Sequence, residues 1–275
     1  MPDADADLEL AIEAAREAGR IALGYFRKSP RWHEKADRSP VSEADLAVDA
    51  ALKDMLLSAC PDDGWLSEET ADDPARLKKS RLWVLDPLDG TRGFLLNDPH
   101  WCVSLALVVD HRPVIGVIHA PALGRTWSAA QGKGAFLDGG RIQVSGRAGL
   151  AGAHVIGPRY IHDARLWGRP WPDVSVTRLP SLALRLARVA SADADAMIAP
   201  GYKSDWDIAA GDIIIREAGG VVTDARGEKI IYNRESTRPF GVIAANARLH
   251  GALLQLMKTC KGHGGRRAAH KGKRT

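Results

Sequence analysis

Apolar residues recur at helical spacing in the first part of the chain. In residues 7–27 they lie three or four positions apart, which predicts an amphipathic helix with one face in the core. The predicted buried face carries Leu8, Ile12, Ala15, Gly19, Ala22 and Phe26. A second helix is predicted over residues 42–60, where Ser42 and Asp45 have the spacing of a capping box.

Short apolar runs replace this helical spacing from residue 83 onward. Residues 83–85 predict a buried strand that ends where Asp86 begins a loop. Two longer runs flank a turn at residues 110–113, and glycine-punctuated runs follow, so we predict an antiparallel meander. Beyond it, helices are predicted at residues 181–191, 207–218 and 247–258, and strands at residues 196–200, 220–225 and 240–245.

This order of elements predicts an α/β protein of two closely packed halves, with no internal repeat and no long linker. The predicted first half is an α+β unit, residues 1–145, and the second is an α/β unit, residues 146–260. A length of 275 residues and a hydrophobic content of 45% are enough for a large buried core.

The net positive charge of the chain comes from residues 261–275. This segment contains six Lys or Arg and no acid, so removing the six from the net +4 leaves −2 for residues 1–260. A Gly-rich charged segment without an apolar period is predicted to be disordered. We interpret it as a solubilising tail without a specific nucleic-acid partner; weak contact with RNA, or peripheral contact with anionic lipid at the inner membrane, is the alternative.

The cysteines and the N-terminus indicate a cytoplasmic protein. Cys60, Cys102 and Cys260 are too few and too irregularly spaced for a disulfide framework or a zinc site. The first residues lack a secretion signal, and no apolar run reaches the ~20 residues of a transmembrane segment. The apolar run at residues 103–109 would suit either a homodimer face or a buried central sheet, and we favour the sheet.

Four acidic clusters stand beside apolar segments. They are Glu68 with Glu69, Asp86 with Asp89, Asp45 alone, and Asp205 with Asp207. Each lies at the end of a predicted strand or the start of a predicted helix, where α/β folds present ligands at a cleft. Any one of them alone would be a solvated turn or a helix cap, but together they predict one shared site.

Carboxylates gathered in a small space repel one another unless protons or cations neutralise them. No comparable basic cluster runs beside these acids in the sequence, so hard divalent cations are expected. Oxygen ligands without a Cys or His pattern favour Mg²⁺ over zinc or copper. Asp86 and Asp89 can bind adjacent ions, with the carbonyl of Leu88 turned inward and Pro87 stiffening the turn.

The expected chemistry is hydrolysis of a phosphate monoester. Two metal ions can hold a phosphoryl group, activate a water and neutralise the leaving alkoxide. Gly90 and Thr91, at a predicted helix start, would offer backbone N–H groups to the phosphate. Thr91, held by a carboxylate such as Asp45, would orient the water and relay its proton.

Three segments resemble the characteristic motifs of the inositol monophosphatase superfamily of lithium-sensitive, Mg²⁺-dependent phosphatases. They are WVLDPLDGTRGF at residues 83–94, LSEET at residues 66–70 and SDWDIAAGDIIIREAGG at residues 204–220. The resemblance spans the chain from the first helix to the last. It implies a layered αβαβα sandwich that binds two or three Mg²⁺ ions and a small phosphorylated metabolite.

The same resemblance implies a role for individual residues. It implies metal ligation by Glu68, Asp86, the carbonyl of Leu88, Asp89 and Asp207. It implies substrate contacts at Glu68, Leu88, Asp89, Gly90, Thr91 and Asp207, with Gly90 and Thr91 on the phosphate. The water-activating pair would be Thr91 with Asp45 or Glu68, and Glu69 and Lys35 would support this set.

Within the superfamily, several features resemble the CysQ-like 3'(2'),5'-bisphosphate nucleotidase branch. They are Ser67 before the Glu pair, the acidic SDWD segment at residues 204–207 and the PSLALRLARVA segment at residues 180–190. The expected substrate is therefore a nucleotide, adenosine 3',5'-bisphosphate, cleaved to AMP and phosphate. Its second phosphate would need a cation, for which Arg159, Arg185 and Lys203 are candidates.

Other features keep alternatives open. Arg92 and Gly93 after the D-G-T string resemble histidinol-phosphatases, and Ala183 lies near the position where some nucleotidases carry a phosphate-binding Lys. The alternative substrates are inositol-1-phosphate and histidinol phosphate. A catalytically inactive binding protein is the remote alternative, because none of the acids in the motifs is replaced.

Overall fold

The structure is a computed structural model that describes residues 4–158 and 171–258. Its helices are α1 (Ala4–Tyr25), α2 (Glu43–Ala59), α3 (Thr91–Leu95), α4 (Leu182–Ala190), α5 (Asp205–Glu217) and α6 (Ala247–Lys258). Its strands are β1 (Trp32–Glu34), β2 (Pro40–Ser42), β3 (Gly64–Ser67), β4 (Arg81–Asp89), β5 (Cys102–Val109), β6 (Arg112–Ala120), β7 (Arg125–Ala130), β8 (Gly134–Leu137), β9 (Gly140–Ile142), β10 (Ala153–Ile156), β11 (Val174–Thr177), β12 (Ala196–Tyr202), β13 (Val221–Thr223) and β14 (Phe240–Ala245).

The strands form two large sheets and one small hairpin. In the seven-stranded sheet the strands lie in chain order from β3 to β9; β3 and β4 are parallel, and every later neighbour is antiparallel. The predicted antiparallel meander is therefore confirmed. The five-stranded sheet has the order β11-β10-β12-β14-β13, with β10 parallel to both of its neighbours. Strands β1 and β2 pair with each other.

Both large sheets are buried on both faces. In β4, Trp83 faces α1 and α2, whereas the adjacent Val84 faces the core formed with α4 and α5. In β14, Val242 faces that same core, and Ile243 faces α6 on the far side. The layers therefore follow the order α1/α2, seven-stranded sheet, α4/α5, five-stranded sheet and α6, which confirms the αβαβα sandwich. Burial on both faces explains why these strands are continuous apolar runs.

Two element boundaries differ from the sequence prediction. Helix α5 begins at Asp205, two residues before the predicted start, because the backbone N–H of Ser204 donates to the carboxylate of Asp207 and caps the helix there. Strand β4 does not end before Asp86 but continues to Asp89. Asp86 pairs with Ser104 and Asp89 with Cys102, so β4 carries one residue more than β5 at this step, a β-bulge.

The central helix α5 packs closely against the seven-stranded sheet at Gly116 of β6. A Cβ atom at Gly116 would lie 2.5 Å from the carbonyl oxygen of Ala210 and 2.5 Å from Cγ2 of Ile213. Such separations are far below van der Waals contact. The absence of a side chain at Gly116 therefore sets how near α5, and the Asp207 that it carries, lies to β4 and β5.

The remaining sequence predictions concern the tail, the cysteines, the division into halves, the location and the homodimer. The tail at residues 261–275 and Cys260 lie outside the described residues; Cys60 and Cys102 have free thiols. None of the described helices combines the length and hydropathy that a membrane crossing requires. The seven-stranded sheet uses residues 64–142 and the five-stranded sheet residues 153–245. The division into halves near residue 145, the cytoplasmic location and the homodimer stay predictions.

Gly116→Ala is expected to lower the free energy of unfolding by about 1–3 kcal/mol, because the added methyl group forces α5 away from β6. Gly24→Ala is the matched control, since nothing lies within 4 Å of a Cβ atom at this helical position; its effect should stay below about 1 kcal/mol. Chemical denaturation of both variants measures the difference. Equal stabilities would contradict the close packing at Gly116.

Candidate active site

Three carboxylates from two distant parts of the chain meet in one cleft. Asp86 and Asp89 come from the bulged end of β4, and Asp207 comes from the first turn of α5. One carboxylate oxygen from each lies within 4.8 Å of the others. Asp86 and Asp89 are buried, with 2% and 8% of their surface exposed. The structure thus brings together three of the residues predicted as metal ligands.

The β-bulge determines how Asp86 and Leu88 are presented. Oδ1 of Asp86 accepts a hydrogen bond from the backbone N–H of Leu88 at 3.0 Å. Pro87 lies between them and has no N–H to pair with the neighbouring strand. The carbonyl oxygen of Leu88 lies 3.0 Å from Oγ1 of Thr91. The bulge therefore places an acidic oxygen and a carbonyl at the same end of β4.

Asp89 is held by the start of α4. Its Oδ2 accepts hydrogen bonds from Oγ of Ser181 at 2.8 Å and from the backbone N–H of Ala183 at 2.5 Å. One carboxylate oxygen is therefore committed to α4, and Oδ1 is left for the cleft. The sequence predicted helix α4 but gave no signal that its first turn binds an acid 94 residues away.

Asp45 and Asp207 are fixed in the same way, as the third residues of two helices. Oδ2 of Asp45 accepts from the backbone N–H and the hydroxyl of Ser42, at 2.9 and 2.6 Å. Oδ2 of Asp207 accepts from the backbone N–H of Ser204 at 2.8 Å. Each carboxylate uses one oxygen as a helix cap, and the other is available to the site. The capping box predicted at Ser42 is confirmed.

The second oxygen of Asp45 reaches Thr91. Oδ1 of Asp45 lies 3.1 Å from Oγ1 of Thr91, which is the first residue of α3. Asp45 is almost completely buried, and its burial raises its pKa above the usual value. Gly90 precedes Thr91 with a φ of 104°, a left-handed conformation that favours glycine. The predicted contact between Thr91 and Asp45 is present in the structure.

Glu68 lines the cleft but lies outside the group of three carboxylates. Its Oε1 accepts a hydrogen bond from Nζ of Lys35 at 2.6 Å, and Oε1 of Glu69 accepts from the same ammonium group at 3.0 Å. Burial alone would lower the pKa of Lys35, but these two hydrogen bonds raise it above its usual value. Burial raises the pKa of Glu69 to about 7, although the hydrogen bond from Lys35 opposes that shift.

The turn that carries Glu68 and Glu69 is fastened to α2 by Asp49. The hydroxyls of Ser67 and Thr70 both donate to the carboxylate of Asp49, the second at 2.5 Å. These two hydroxyls flank the Glu pair in the sequence. Asp49 is therefore a positioning residue that the sequence prediction missed, because its helical position alone indicates no partner.

The charges of this cleft fit a hard divalent cation. Burial raises the pKa of Asp86 well above its usual value, and the neighbouring carboxylates add to the shift. Burial and the charge of Asp89 raise the pKa of Asp207 to about 7. Burial also raises the pKa of Asp89 to about 6, although the hydrogen bonds from α4 oppose it. Without a cation, these three carboxyl groups keep their protons to a higher pH than exposed aspartates do. An oxygen-only donor set of this kind suits a hard metal ion.

The carboxylates open into a cleft of about 300 Å³ whose walls also carry basic residues. Arg92, Arg178 and Arg185 line it together with Glu68, the three aspartates, Leu88, Gly90 and Thr91. The expectation that no basic cluster accompanies the acids holds along the sequence but is wrong in three dimensions. Arg178 is not among the cations that the sequence analysis names, and Arg159, one candidate for a second phosphate, lies outside the described residues.

The sequence matches the model of the inositol monophosphatase family over residues 3–261. The chain belongs to this family. A histidinol-phosphatase from Chlorobaculum parvum is 35% identical over 256 residues, which cover 87% of this chain and 92% of that protein. The 3'(2'),5'-bisphosphate nucleotidase CysQ from Aggregatibacter actinomycetemcomitans is 31% identical over 250 residues, covering 84% of this chain and 88% of that protein.

The fold agrees with this membership. The solved structure of an inositol monophosphatase from Thermotoga maritima superimposes with a TM-score of 0.81 at 30% identity, covering 92% of this chain and 96% of that one. Members of the inositol monophosphatase family are metal-dependent phosphomonoesterases, and this chain is therefore a metal-dependent phosphoric monoester hydrolase.

We expect the metal-free protein to lose stability as the pH rises. In the unfolded chain an Asp carboxyl titrates near pH 4, whereas in the folded protein the pKa values of Asp89 and Asp207 are about 6 and about 7. The folded state therefore binds more protons than the unfolded state across this interval, so the free energy of unfolding falls as the pH rises from about 4 to about 7.

Thermal unfolding with EDTA or with Mg²⁺ tests this expectation. The Tm of the EDTA-treated protein should fall between pH 5 and pH 8, and Mg²⁺ should raise it more at pH 8, because the ion replaces protons that are then absent. Asp89→Asn should abolish most of the gain from Mg²⁺. Asp54→Asn, which removes an exposed carboxylate on α2, is the control; if both variants kept the wild-type gain, Asp89 would not bind the ion.

Proposed function

We propose that this chain is a Mg²⁺-dependent 3'(2'),5'-bisphosphate nucleotidase that hydrolyses adenosine 3',5'-bisphosphate to AMP and phosphate. The observation that carries the phosphatase chemistry is the convergence of Asp86, Asp89 and Asp207 beside the hydrogen-bonded pair of Thr91 and Asp45. The CysQ-like sequence features support the choice of this substrate and of the phosphate that is cleaved.

The proposed metal ligands are Glu68, Asp86, the carbonyl oxygen of Leu88, Asp89 and Asp207. Two or three Mg²⁺ ions would balance these charges, and Glu68 would exchange its hydrogen bond with Lys35 for a metal contact. When bound, the ions supply a polarised phosphoryl group, an acidified water and compensation for the charge on the leaving oxygen.

The chain itself orients the water. In this proposal the hydroxyl of Thr91 donates to Oδ1 of Asp45, so that its oxygen accepts a hydrogen bond from the attacking water and aims it at phosphorus. The raised pKa of Asp45 makes its carboxylate a better proton acceptor than an exposed aspartate. Glu68 is the alternative partner of Thr91, but its carboxylate is paired with Lys35 in this structure.

Gly90 and Thr91 are proposed to bind the phosphate of the substrate. Both residues line the cleft at the start of α3. A side chain at Gly90 would be strained by its positive φ and would lie 3.2 Å from the carbonyl oxygen of His100. The backbone N–H groups of this turn would donate hydrogen bonds to a phosphate oxygen.

The preference for a bisphosphate nucleotide rests on two segments. Ser67 precedes the Glu pair, and here it binds Asp49. Ser204 and Asp205 precede Trp206, where inositol phosphatases tend to carry Lys-Pro before the Trp. Both features resemble the nucleotidase branch, and a CysQ protein is among the relatives.

Histidinol phosphate is the second candidate substrate. The observation that favours it is the pair Arg92 and Gly93 after the D-G-T string, together with a histidinol-phosphatase that is 35% identical. Arg92 lines the cleft, and one of its guanidinium nitrogens donates to the backbone oxygen of Arg38 at 2.6 Å. Inositol-1-phosphate is the third candidate, supported by the similarity to the Thermotoga maritima protein.

Substrate kinetics test the proposed activity. We expect phosphate release from adenosine 3',5'-bisphosphate, measured with Mg²⁺, to show a kcat/KM at least about tenfold above those for histidinol phosphate and inositol-1-phosphate, because an added charged contact contributes on this scale. EDTA should abolish all three rates. A higher kcat/KM for histidinol phosphate would overturn the nucleotidase assignment and leave the metal chemistry in place.

Thr91→Ala is expected to lower kcat by roughly 100- to 10,000-fold with little change in KM, because orienting the water matters mainly in the transition state. Thr91→Ser keeps the hydroxyl and should retain most of the activity. Steady-state kinetics on the best substrate separate the two variants. A rise in KM at constant kcat would assign Thr91 to binding alone.

A further inference from the structure

The loop between β13 and β14, residues 224–239, binds the first residue of α5. The backbone N–H of Asn233 donates to Oδ2 of Asp205 at 3.1 Å, and the backbone N–H of Asp205 donates to the carbonyl oxygen of Thr237 at 2.9 Å. Asp205 and Asn233 are both buried. Asp205 does not line the carboxylate cleft, so its contacts indicate a task at the start of the helix rather than metal ligation.

The carboxylate of Asp205 is held from one side. Its Oδ1 is buried and has no hydrogen-bond partner among the described residues, and its Oδ2 is the atom to which Asn233 donates. A buried polar atom without a partner lowers stability. The orientation of this side chain therefore depends on the hydrogen bond from Asn233.

Asn233 is bound in turn by a buried arginine. Arg76 lies in a short 3₁₀ helix, Pro74–Lys78, between β3 and β4. Its Nη1 donates to Oδ1 of Asn233 at 2.7 Å, and Nδ2 of Asn233 donates back to the carbonyl oxygen of Arg76 at 3.2 Å. These two reciprocal hydrogen bonds fix the side-chain amide of Asn233.

Arg76 is oriented independently of this loop. Its Nε and Nη2 donate to the two carboxylate oxygens of Asp72, at 2.5 and 2.9 Å. A bidentate pair of this kind fixes the plane of the guanidinium group. Nη2 also donates to the carbonyl oxygen of Arg234 at 3.1 Å, so the same oriented group binds two neighbouring residues of the loop.

The loop has a second attachment to α5 and one to the seven-stranded sheet. The hydroxyl of Tyr232 donates to Oδ2 of Asp212 at 2.9 Å, and the backbone N–H of Tyr232 donates to the carbonyl oxygen of His111 at 3.2 Å. Asp212 lies two turns after the first residue of α5, and His111 lies between β5 and β6. The loop therefore fixes where α5 lies along the sheet, whereas Gly116 sets its distance from the sheet.

We propose that Asp205 is a positioning residue for Asp207, and that the path from Arg76 through Asn233 to Asp205 sets the affinity of the carboxylate cluster for divalent cations. Asp207 is the third residue of the helical turn that Asp205 begins. The other two acids of the cluster come from β4, so their separation from Asp207 depends on where α5 begins. This inference rests on the proposed role of Asp207 as a metal ligand.

Calorimetric titration of Mn²⁺ into the EDTA-treated and dialysed protein tests the proposal without substrate. Mn²⁺ suits the same oxygen ligands as Mg²⁺. Asp205→Ala removes the acceptor of the Asn233 N–H and should raise the Kd for Mn²⁺ about tenfold, as expected when a group that orients a metal ligand is lost. Asp205→Asn keeps an acceptor oxygen and should stay within about threefold of the wild type. Both variants lose the same charge, so an equal rise in both would show that Asp205 acts through its charge and would overturn the proposal.

Asn233→Gly tests the same path without a change of charge. Asn233 has a φ of 53°, which glycine adopts readily, so this variant removes the amide that Arg76 binds and keeps the backbone N–H. We expect its Kd for Mn²⁺ to rise about tenfold. Asn97→Gly is the matched control, because Asn97 has a φ of 62° and its side chain makes no hydrogen bond in the part of the chain that the structure describes. Equal Kd values for the two glycine variants would overturn the path through Arg76.

Steady-state kinetics distinguish positioning from a general structural role. Asp205→Ala should raise the Mg²⁺ concentration that gives half the maximal rate about tenfold. At saturating Mg²⁺ its kcat should stay within about twofold of the wild type, because Asp205 touches no reacting group. A loss of kcat that saturating Mg²⁺ does not restore would contradict the positioning role. Circular dichroism checks that the variant folds; if it does not, Asn233→Gly undergoes the same measurements.

Asp207→Asn separates this inference from the proposed site. It keeps an oxygen that can cap α5 but removes the charge of the ligand, and it should weaken Mn²⁺ binding more than Asp205→Ala does. If Asp207→Asn binds Mn²⁺ as the wild type does, the assignment of Asp207 as a ligand fails. If Asp207→Asn weakens binding and Asp205→Ala does not, the ligand assignment stands and the positioning role of Asp205 is wrong.

Discussion

The repulsion between carboxylates in a buried cleft is the constraint on which the rest of this site depends. Asp86, Asp89 and Asp207 offer oxygens within 4.8 Å of one another, and burial raises the pKa of each. Such a group is stable only if protons or cations neutralise it and if each side chain is held in place. The fold meets the second requirement with backbone N–H groups, which stabilise a carboxylate without neutralising it.

Every acid of the cluster has one oxygen that accepts a backbone hydrogen bond. The bulge of β4 binds Asp86, the first turn of α4 binds Asp89, and the start of α5 binds Asp207. Helix starts suit this task because their N–H groups lack partners within the helix. The middle helical layer therefore lies between the two sheets and also positions the acids. The contact of α5 with Gly116 fixes how close this layer lies to the seven-stranded sheet.

The carboxylate cleft shares a wall with a cavity that Lys203 also lines, so an acidic and a basic environment lie side by side. The acidic side requires metal ions before an anionic substrate can approach, and the basic side favours anions without any ion. Arg178 and Arg185 line both spaces, whereas the three aspartates line only the first.

The sequence by itself determined the meander, the capping box at Ser42 and the acids of the site, because these depend on local spacing; the layered sandwich followed only from the resemblance of its motifs to a known family. It placed the end of β4 wrongly, since a bulge requires a partner strand that spacing within one strand does not reveal. Only the tertiary structure decided that Ser181 and Ala183 bind Asp89, that Asp49 fastens Ser67, and that basic residues lie beside the acids. These contacts join residues distant along the chain, and they arise from packing of the layers, to which local patterns contribute no information.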